Sequence, residues 1–308
     1  MNEELEIYDS LVIGCGPCGI GAALELQKNG VKVAIIERDA PGGKINIAPR
    51  VDNYPRHAPI TGPDLAIEFY NRVIDNKVEF IGDEIISLTK EDNLFVLEGK
   101  RGKYRAKTAL IATGTKEREL GLAHEHELFG HGLSYCAVCD GHFFQGQDVL
   151  VIGGGNTALK EAIFLTDIVS RLYLIHRRTE FRGNNKLVEE LAGHKNATIL
   201  TPFVPLELIG EDKLEGVKIQ NVATKEEQVL IVQGVFPLVG QLPNSQFVKI
   251  EGVLNEWGTI PVDRSMMTNV PGLFAGGDIL PRDIRQIYLA EHDGMVAAKS
   301  IMEFLKEN

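Results

Sequence analysis

The sequence is poor in the residues that mark several functional classes. It has one tryptophan, four cysteines and fewer basic than acidic residues (32 against 43), for a net charge of −11. This charge argues against nucleic acid and anionic membranes as partners, because both select basic patches. No uninterrupted apolar stretch approaches the roughly 18 residues of a membrane span. The first residues, Met1 to Glu6, are acidic and unlike a secretory signal, so we expect a cytoplasmic protein.

The few cysteines are spaced in an informative way. They form two C-x-x-C pairs, Cys15 with Cys18 and Cys136 with Cys139, in a chain of 308 residues. A secreted disulfide scaffold would be smaller and denser in cysteine. In a reducing cytosol such a pair is more often redox-active or metal-binding than structural. The length itself predicts about two domains.

An internal repeat indicates how the chain is organised. The segment DSLVIGCGPCG at 9–19 matches DVLVIGGGNTA at 148–158, and each is followed by a helical pattern and a second apolar strand, at 31–37 and 171–176. Each unit therefore reads as strand, glycine turn, helix and buried strand. This is the βαβ unit that binds nucleotides, and it occurs twice.

The glycine spacing of each unit is that of a dinucleotide-binding turn. The first glycine permits the tight turn, the second lets the backbone approach a pyrophosphate, and the third allows the helix to pack on the strand. The residues at these three positions are Gly14, Gly16 and Gly19 in the first unit and Gly153, Gly155 and Ala158 in the second. The alternative is a pair of glycine-rich turns that bind nothing, which the duplication disfavours.

The end of the second strand distinguishes the two nucleotides. In the first unit it is Glu37, whose carboxylate can accept from ribose hydroxyls and would repel a 2′-phosphate. In the second unit it is His176, followed by Arg177, Arg178 and Arg182. Guanidinium groups match phosphate oxygens, so this unit suits the ribose 2′-phosphate of NADPH. The alternative for these arginines is a solvated basic edge.

The two units predict an α/β protein with two Rossmann-like nucleotide-binding domains of the three-layer ββα type. The roughly 65 residues after Gln241 are too few for a comfortable third domain. We therefore expect them to complete the first domain, with the second domain inserted. The expected bounds are 1–116 with 241–308 for a discontinuous domain on the first unit and 117–240 for an NADPH domain that carries a redox-active pair.

The two cysteine pairs have different contexts. Cys15 and Cys18 lie inside the first glycine turn, so we interpret them as small buried residues despite their likeness to the C-G-P-C of thioredoxin. Cys136 and Cys139 lie in a polar segment before the second unit. Asp140 follows directly and can act as acid or base for the departing sulfur. A zinc site built from all four cysteines would destroy the glycine turn, and we expect no metal.

Several ordered motifs together resemble the small, bacterial-type thioredoxin reductases of the FAD- and NADPH-dependent pyridine nucleotide-disulfide oxidoreductases. They are GCGPCG at 14–19, ATG at 112–114, CAVCDG at 136–141, GGGNTA at 153–158, HRRTEFR at 176–182, and GGD at 276–278 with RQ at 285–286. The resemblance covers nearly the whole chain. It implies FAD on the first unit, NADPH on the second and a homodimer formed mainly through the FAD domain. It also implies that Cys139 lies next to the flavin and that Cys136 attacks the disulfide of thioredoxin.

The same resemblance implies a set of cofactor-binding residues. Those for FAD are Gly14, Gly16, Pro17, Cys18, Gly19, Glu37, Arg38, Gly42, Gly43, Lys44, Ile45, Asn53, Ala112, Thr113, Gly114, Gly277, Asp278, Arg285, Gln286 and Ile287. Those for NADPH are Gly153, Gly155, Asn156, Thr157, Ala158, His176, Arg177, Arg178 and Arg182.

Four positions depart from the pattern of that family. Cys18 replaces the usual alanine, and Lys44 with Ile45 stands where the family usually has Gln-Leu. Arg56 replaces a common glycine, and Lys160 replaces a glutamate near the nicotinamide. The flavin contact at Lys44 and the role of Lys160 therefore cannot be carried over.

These observations predict an enzyme that passes electrons from NADPH to FAD, to Cys136 and Cys139, and to the disulfide of thioredoxin or a thioredoxin-like protein. One alternative is a related flavoprotein: a dithiol oxidase, or a reductase for a glutaredoxin-like or peroxiredoxin-system partner. A second is a non-catalytic sensor of NADPH or redox state. A sensor would need no acid beside the cysteines, and a dithiol oxidase would tolerate loss of the arginines.

The arginine cluster gives the first testable prediction. Each charge-assisted bond to a phosphate contributes about 1.5–3 kcal/mol, or roughly tenfold to a hundredfold in affinity. Replacing Arg177 and Arg178 together by alanine should raise KM for NADPH by at least that factor and leave use of NADH nearly unchanged. Steady-state kinetics with both nucleotides measures this. Equal losses with NADPH and NADH would mean that the two arginines maintain structure.

Overall fold

The computed structural model describes residues 6–48, 50–55, 57–282 and 284–308. The departure at Arg56 and most of the acidic start therefore lie outside the described residues. The chain divides into two compact units, Met1–Lys116 with Leu242–Asn308, and Glu117–Gln241. Among the described residues no helix is both long and apolar enough to cross a membrane.

The first unit is built on a mixed sheet. Its elements up to the crossing are β1 (Ile7–Ile13), α1 (Pro17–Lys28), β2 (Val33–Glu37), α2 (Gly62–Asp75), β3 (Glu79–Gly82), β4 (Ile85–Glu91), β5 (Leu94–Gly99) and β6 (Lys103–Ile111). The crossings between units contain β7 (Thr115–Glu117) and β15 (Gln241–Pro243), and the returning chain adds β16 (Leu273–Ala275) and α6 (Ile287–Glu307). The sheet order is β3-β2-β1-β6-β5-β4, with β16 also paired to β6.

Both faces of this sheet are covered. Strands β3, β2, β1, β6 and β16 are parallel, whereas β4 and β5 run antiparallel at one side. On β1, Val12 packs into a core with α1, α2 and α6, while Leu11 and Ile13 point into a second core that includes Val248 and Ile260. This alternation is the period of two expected for a strand buried on both faces.

The second unit repeats this plan on a smaller scale. Its elements are α3 (Ala137–Asp140), β8 (Asp148–Ile152), α4 (Asn156–Thr166), β9 (Arg171–Ile175), α5 (Asn185–Gly193), β10 (Ala197–Leu200), β11 (Phe203–Ile209), β12 (Gly216–Asn221), β13 (Glu227–Leu230) and β14 (Gly234–Pro237). A parallel sheet β10-β9-β8-β14 lies between a helical core and a core shared with the antiparallel sheet β11-β12-β13. The α/β fold with Rossmann-like parallel sheets is confirmed.

A buried carboxylate fixes one corner of the first unit. Asp83 accepts from the amides of Glu84 (2.8 Å), Arg101 (3.1 Å) and Gly102 (3.2 Å) and from the hydroxyl of Tyr104 (2.8 Å). Burial by itself raises the pKa of Asp83, but these hydrogen bonds outweigh it and hold the pKa below its ordinary value. The side chain joins three loop amides and a tyrosine on β6.

This carboxylate gives a prediction with a defined pH dependence. A carboxyl whose pKa is lowered by folding stabilises the fold above its unfolded pKa of about 3.9, and the contribution disappears as pH falls through the folded value. Asp83→Asn should therefore cost about 1.5–3 kcal/mol at pH 7. The difference in Tm from the parent protein should narrow as the pH approaches about 3. A Tm difference that stays constant from pH 7 to pH 3 would contradict this account.

Candidate functional site

The second cysteine pair lies on a short turn that precedes β8, and residues 141–147 separate the turn from that strand. Cys136 and Cys139 form a disulfide with a Cα–Cα distance of 5.3 Å, and α3 begins between them. Cys139 is exposed and Cys136 is half-buried. We call residues 134–140 the redox turn. The sequence predicts that this pair cycles between disulfide and dithiol. In the structure the two sulfurs are bonded to each other.

A buried serine organises the redox turn. The Ser134 hydroxyl donates to the Asp140 carboxylate at 2.6 Å and accepts from the Cys136 amide at 3.1 Å. Asp140, which the sequence predicts as an acid or base, is therefore held by a neighbour that the sequence analysis overlooked. The available signal was local: a serine two residues before Cys136 can reach back to the backbone of its own turn.

A second overlooked residue, Glu161, approaches the turn from α4. Its carboxylate accepts from the Ala137 amide at 2.6 Å and also from the amide of Val138. Burial foremost, with a smaller contribution from the Glu117 carboxylate, raises the pKa of Glu161 to about 7, although the two amides oppose this shift. No sequence motif links residues 24 positions apart in this way, so only the fold reveals the contact.

The first cysteine pair has a different environment. Cys15 and Cys18 are both free thiols and both buried. Burial, reinforced by the Glu37 carboxylate, raises the pKa of Cys15 to about 12, and burial likewise raises the pKa of Cys18. Cys18 is packed so closely that a Cβ added at Gly276 would lie 2.7 Å from its sulfur. Both thiols are thus protonated at neutral pH and poor nucleophiles.

The first glycine turn fits a dinucleotide. A Cβ at Gly14 would lie 2.5 Å from the Ala112 carbonyl oxygen, whereas one at Gly16 would meet no atom of the described part of the chain within 4 Å. The first glycine is thus required by packing, and the second leaves open space where a pyrophosphate can approach the backbone. Glu37 accepts from the Cys15 amide at 2.7 Å, which places its carboxylate beside this turn.

Other residues predicted to bind FAD gather around the same edge of the first unit. The Asn53 amide donates to the Gln286 side chain at 2.9 Å, and the Gly42 amide donates to the Cys15 carbonyl at 2.7 Å. The Arg285 guanidinium donates to the carbonyl oxygen of Asp278 at 3.3 Å. The chain therefore brings together segments that lie more than 200 residues apart.

Lys44 occupies a defined position in this group. Its ammonium donates to the Thr115 hydroxyl at 2.9 Å and lies 3.7 Å from the Asp278 carboxylate. Asp278 is itself one of the residues predicted at the flavin. The unusual lysine is therefore anchored between two residues of the first unit and places a positive charge next to Asp278.

The second glycine turn has the same construction. A Cβ at Gly153 would lie 2.5 Å from the Leu238 carbonyl oxygen, whereas one at Gly155 would have no described atom within 4 Å. The carbonyl oxygen of Gly154 accepts from the amides of Arg182 and Gly183, both at 3.0 Å. Arg182 is thereby tied to the turn that opens α4.

His176 lies differently from the arginines that follow it. Its ring is buried and stacks on Phe181 with centroids 5.1 Å apart, and its Nε2 has no hydrogen-bond partner among the described residues. Burial foremost, with smaller contributions from the nearby arginine charges, lowers the pKa of His176, although a backbone hydrogen bond at Glu180 opposes this shift. Arg177, Arg178 and Arg182 are exposed. Three cations and one buried polar nitrogen fit the phosphate-bearing nucleotide predicted for this unit.

Comparison with known proteins agrees with this geometry. The family model described as pyridine nucleotide-disulphide oxidoreductase matches residues 8–294. The chain belongs to this family.

Among its relatives, the thioredoxin reductase of Mycoplasma pneumoniae is 36% identical, with 99% of this chain and 98% of that protein covered. A thioredoxin reductase structure from Streptococcus pyogenes is 37% identical, with a TM-score of 0.92 over 98% of this chain and 99% of that one. The thioredoxin reductase of Giardia duodenalis has a TM-score of 0.90 at 27% identity, with 98% and 99% covered. The predicted resemblance to thioredoxin reductases is confirmed, and the cofactors of the family are FAD and NADPH.

Ser134 provides a prediction for this site. Ser134→Ala removes the donor that holds Asp140, and a hydrogen bond to a charged group is worth about 1.5–3 kcal/mol. We expect disulfide reduction to slow by at least about tenfold, while reduction of bound flavin by NADPH keeps its rate. Stopped-flow absorbance separates the two steps.

Ser245→Ala is the matched control. Ser245 is also buried, and its hydroxyl donates to the Gly258 carbonyl at 2.6 Å in the first unit. This variant should leave disulfide reduction unchanged. If both variants slow it equally, the effect of Ser134 is general destabilisation.

Proposed function

We propose that this chain catalyses NADPH-dependent reduction of the disulfide of thioredoxin or a thioredoxin-like protein. The observation that carries the proposal is the redox turn. A disulfide precedes the first strand of a nucleotide-binding unit, with Asp140 held beside Cys139 by Ser134. The family match adds the chemical class, because its members are pyridine nucleotide-disulphide oxidoreductases.

We assign the first unit to FAD and the second to NADPH. In the first unit Glu37 stands at the position that accepts from ribose hydroxyls, next to the open space at Gly16. In the second unit Arg177, Arg178 and Arg182 supply exposed positive charge for a 2′-phosphate. Bound FAD supplies the two-electron transfer between the nicotinamide and the disulfide.

The cysteines then carry out thiol–disulfide exchange. Once the pair is reduced, the Cys136 thiolate attacks one sulfur of the partner's disulfide, and that bond breaks as a mixed disulfide forms. The departing partner sulfur takes a proton, which Asp140 is placed to relay after accepting it from the Cys136 thiol. Cys139 then attacks the Cys136 sulfur, which releases the second partner thiol and restores the Cys136–Cys139 disulfide. The first unit's Cys15 and Cys18 take no part, because both are buried and protonated.

The resemblance also supports a homodimer in the cytoplasm. Apolar side chains lie exposed on two helices of the first unit, Ile67 and Ile74 on α2 and Tyr288 and Met295 on α6. Apolar surface of this kind is what a subunit interface covers. Light scattering of the purified protein would give the mass of a dimer under this proposal.

The two cysteine pairs provide the decisive experiment. Cys139→Ser leaves Cys136 able to attack a partner but removes the thiol that resolves the product, so a mixed disulfide should accumulate and be found by mass spectrometry. Either Cys136→Ser or Cys139→Ser should abolish turnover, while NADPH still bleaches the flavin.

The control replaces both buried cysteines by alanine. Cys15→Ala with Cys18→Ala should preserve disulfide reduction as long as FAD stays bound. Loss of turnover in this variant with FAD retained would mean that the redox pair is assigned wrongly. Oxidation of free dithiols by oxygen in place of thioredoxin reduction would favour the dithiol oxidase alternative.

A further inference from the structure

Glu161 has a contact that neither the glycine motif nor the proposed chemistry uses. It lies on α4, in the turn of helix that follows Asn156, and α3 packs against this helix. Its carboxylate reaches across to the start of α3 and accepts from the amides of Ala137 and Val138. The Ala137 amide belongs to the peptide bond that joins Ala137 to Cys136. A partly buried negative charge therefore lies one peptide bond from a reactive cysteine.

The contact matters because it determines which acceptors the backbone amides of the redox turn bind. A cysteine that begins a short helical turn is often activated by the amides that follow it, since these stabilise the thiolate. Here two of those amides donate to Glu161. The Cys139 amide donates to the Cys136 sulfur at 3.2 Å, and the Asp140 amide donates to the Cys136 carbonyl at 3.1 Å. Of the four backbone amides of residues 137–140, one donates to the Cys136 sulfur.

We propose that Glu161 is a positioning residue that restrains ionisation of the Cys136 thiol and so keeps the Cys136–Cys139 pair strongly reducing. Reduction adds two electrons and two protons to the disulfide, and ionisation of Cys136 then releases one of these protons. A dithiol whose thiolate is stabilised is a weaker reductant, because its reduced form is favoured. Glu161 binds two amides that could otherwise stabilise the Cys136 thiolate, and it adds a negative charge nearby. Both effects disfavour the thiolate and so make the dithiol a stronger reductant. The inference rests on the proposed role of Cys136.

The electrostatic surroundings agree with this role. The titratable groups on the described elements around Glu161 include Glu117 on β7 and Asp140 on α3, which packs on α4; Lys160 is its exposed neighbour on α4. Burial and Glu117 raise the pKa of Glu161 to about 7. The charge of Glu161 therefore changes across the neutral pH range.

The test measures the pKa of Cys136 directly. In the flavin-loaded full-length chain carrying Cys139→Ser, Cys136 is the one thiol of the pair, and its rate of alkylation by iodoacetamide is followed against pH. Adding Glu161→Gln should lower the midpoint by about one pH unit. The plateau rate at high pH should fall about threefold, because a less basic thiolate is a weaker nucleophile. An unchanged midpoint in a folded, flavin-containing variant would overturn the proposal.

Asp83→Asn is the matched control. Asp83 is also a buried carboxylate that holds backbone amides, but it lies in the other unit. This variant should lose thermal stability and keep the Cys136 midpoint. A shift of the midpoint in the control equal to that of Glu161→Gln would also overturn the proposal.

A reciprocal measurement needs no change at Glu161. Coupling between two titrating groups is mutual, so a Cys136 thiolate should raise the pKa of Glu161 by the same amount. In the Cys139→Ser protein with 13C-labelled glutamate, the carboxyl resonance that titrates near pH 7 should have a higher midpoint after alkylation of Cys136 with iodoacetate, which leaves a fixed negative charge, than after alkylation with iodoacetamide, which leaves none. Equal midpoints would refute the coupling. Both measurements work whether or not NADPH reduces the pair, so failure of the proposed function would be seen separately.

Discussion

The amides of the redox turn must all find acceptors, and this constraint fixes the site. The turn is partly buried against α4, where an unpaired amide would cost about 1–3 kcal/mol. Ser134 takes the amide of Cys136, and Glu161 takes that of Ala137. The cysteines are thereby held to α4, the same helix whose first residue follows the second glycine turn. One helix therefore supports both the second glycine turn and the disulfide.

The contrast between the two C-x-x-C pairs follows from the same principle. Their spacing is identical, but their neighbours differ. Cys15 and Cys18 are enclosed by glycines that allow strand, turn and helix to approach closely, and burial keeps their thiols protonated. Cys136 and Cys139 lie on a turn in which Cys139 is exposed and the Asp140 carboxylate accepts from the Ser134 hydroxyl. The backbone amides of Cys136 and Ala137 donate to Ser134 and Glu161. Spacing alone identifies candidates, and the surroundings decide the chemistry.

The features that could be predicted from the sequence are those with a local period or spacing. The two βαβ units were predicted because the spacing of Gly14, Gly16 and Gly19 recurs at a fixed offset along the chain. The parallel sheets follow from these two units. The contact from Glu161 to Ala137 could not be predicted, because it joins residues 24 positions apart and depends on how α3 packs on α4. His176 was likewise predicted by position alone. Its burial against Phe181 depends on a loop that returns to the glycine turn.

The central claim is that electrons from NADPH reach Cys136 and Cys139 before they pass to a partner disulfide. Counting thiols after denaturation, before and after anaerobic addition of NADPH to the flavin-loaded protein, tests it most directly. The chain has four cysteines, of which Cys15 and Cys18 are free. The account predicts that the count rises from two to four in the parent protein and stays at two in Cys136→Ser with Cys139→Ser. A count that stays at two in the parent protein while the flavin is bleached would contradict it.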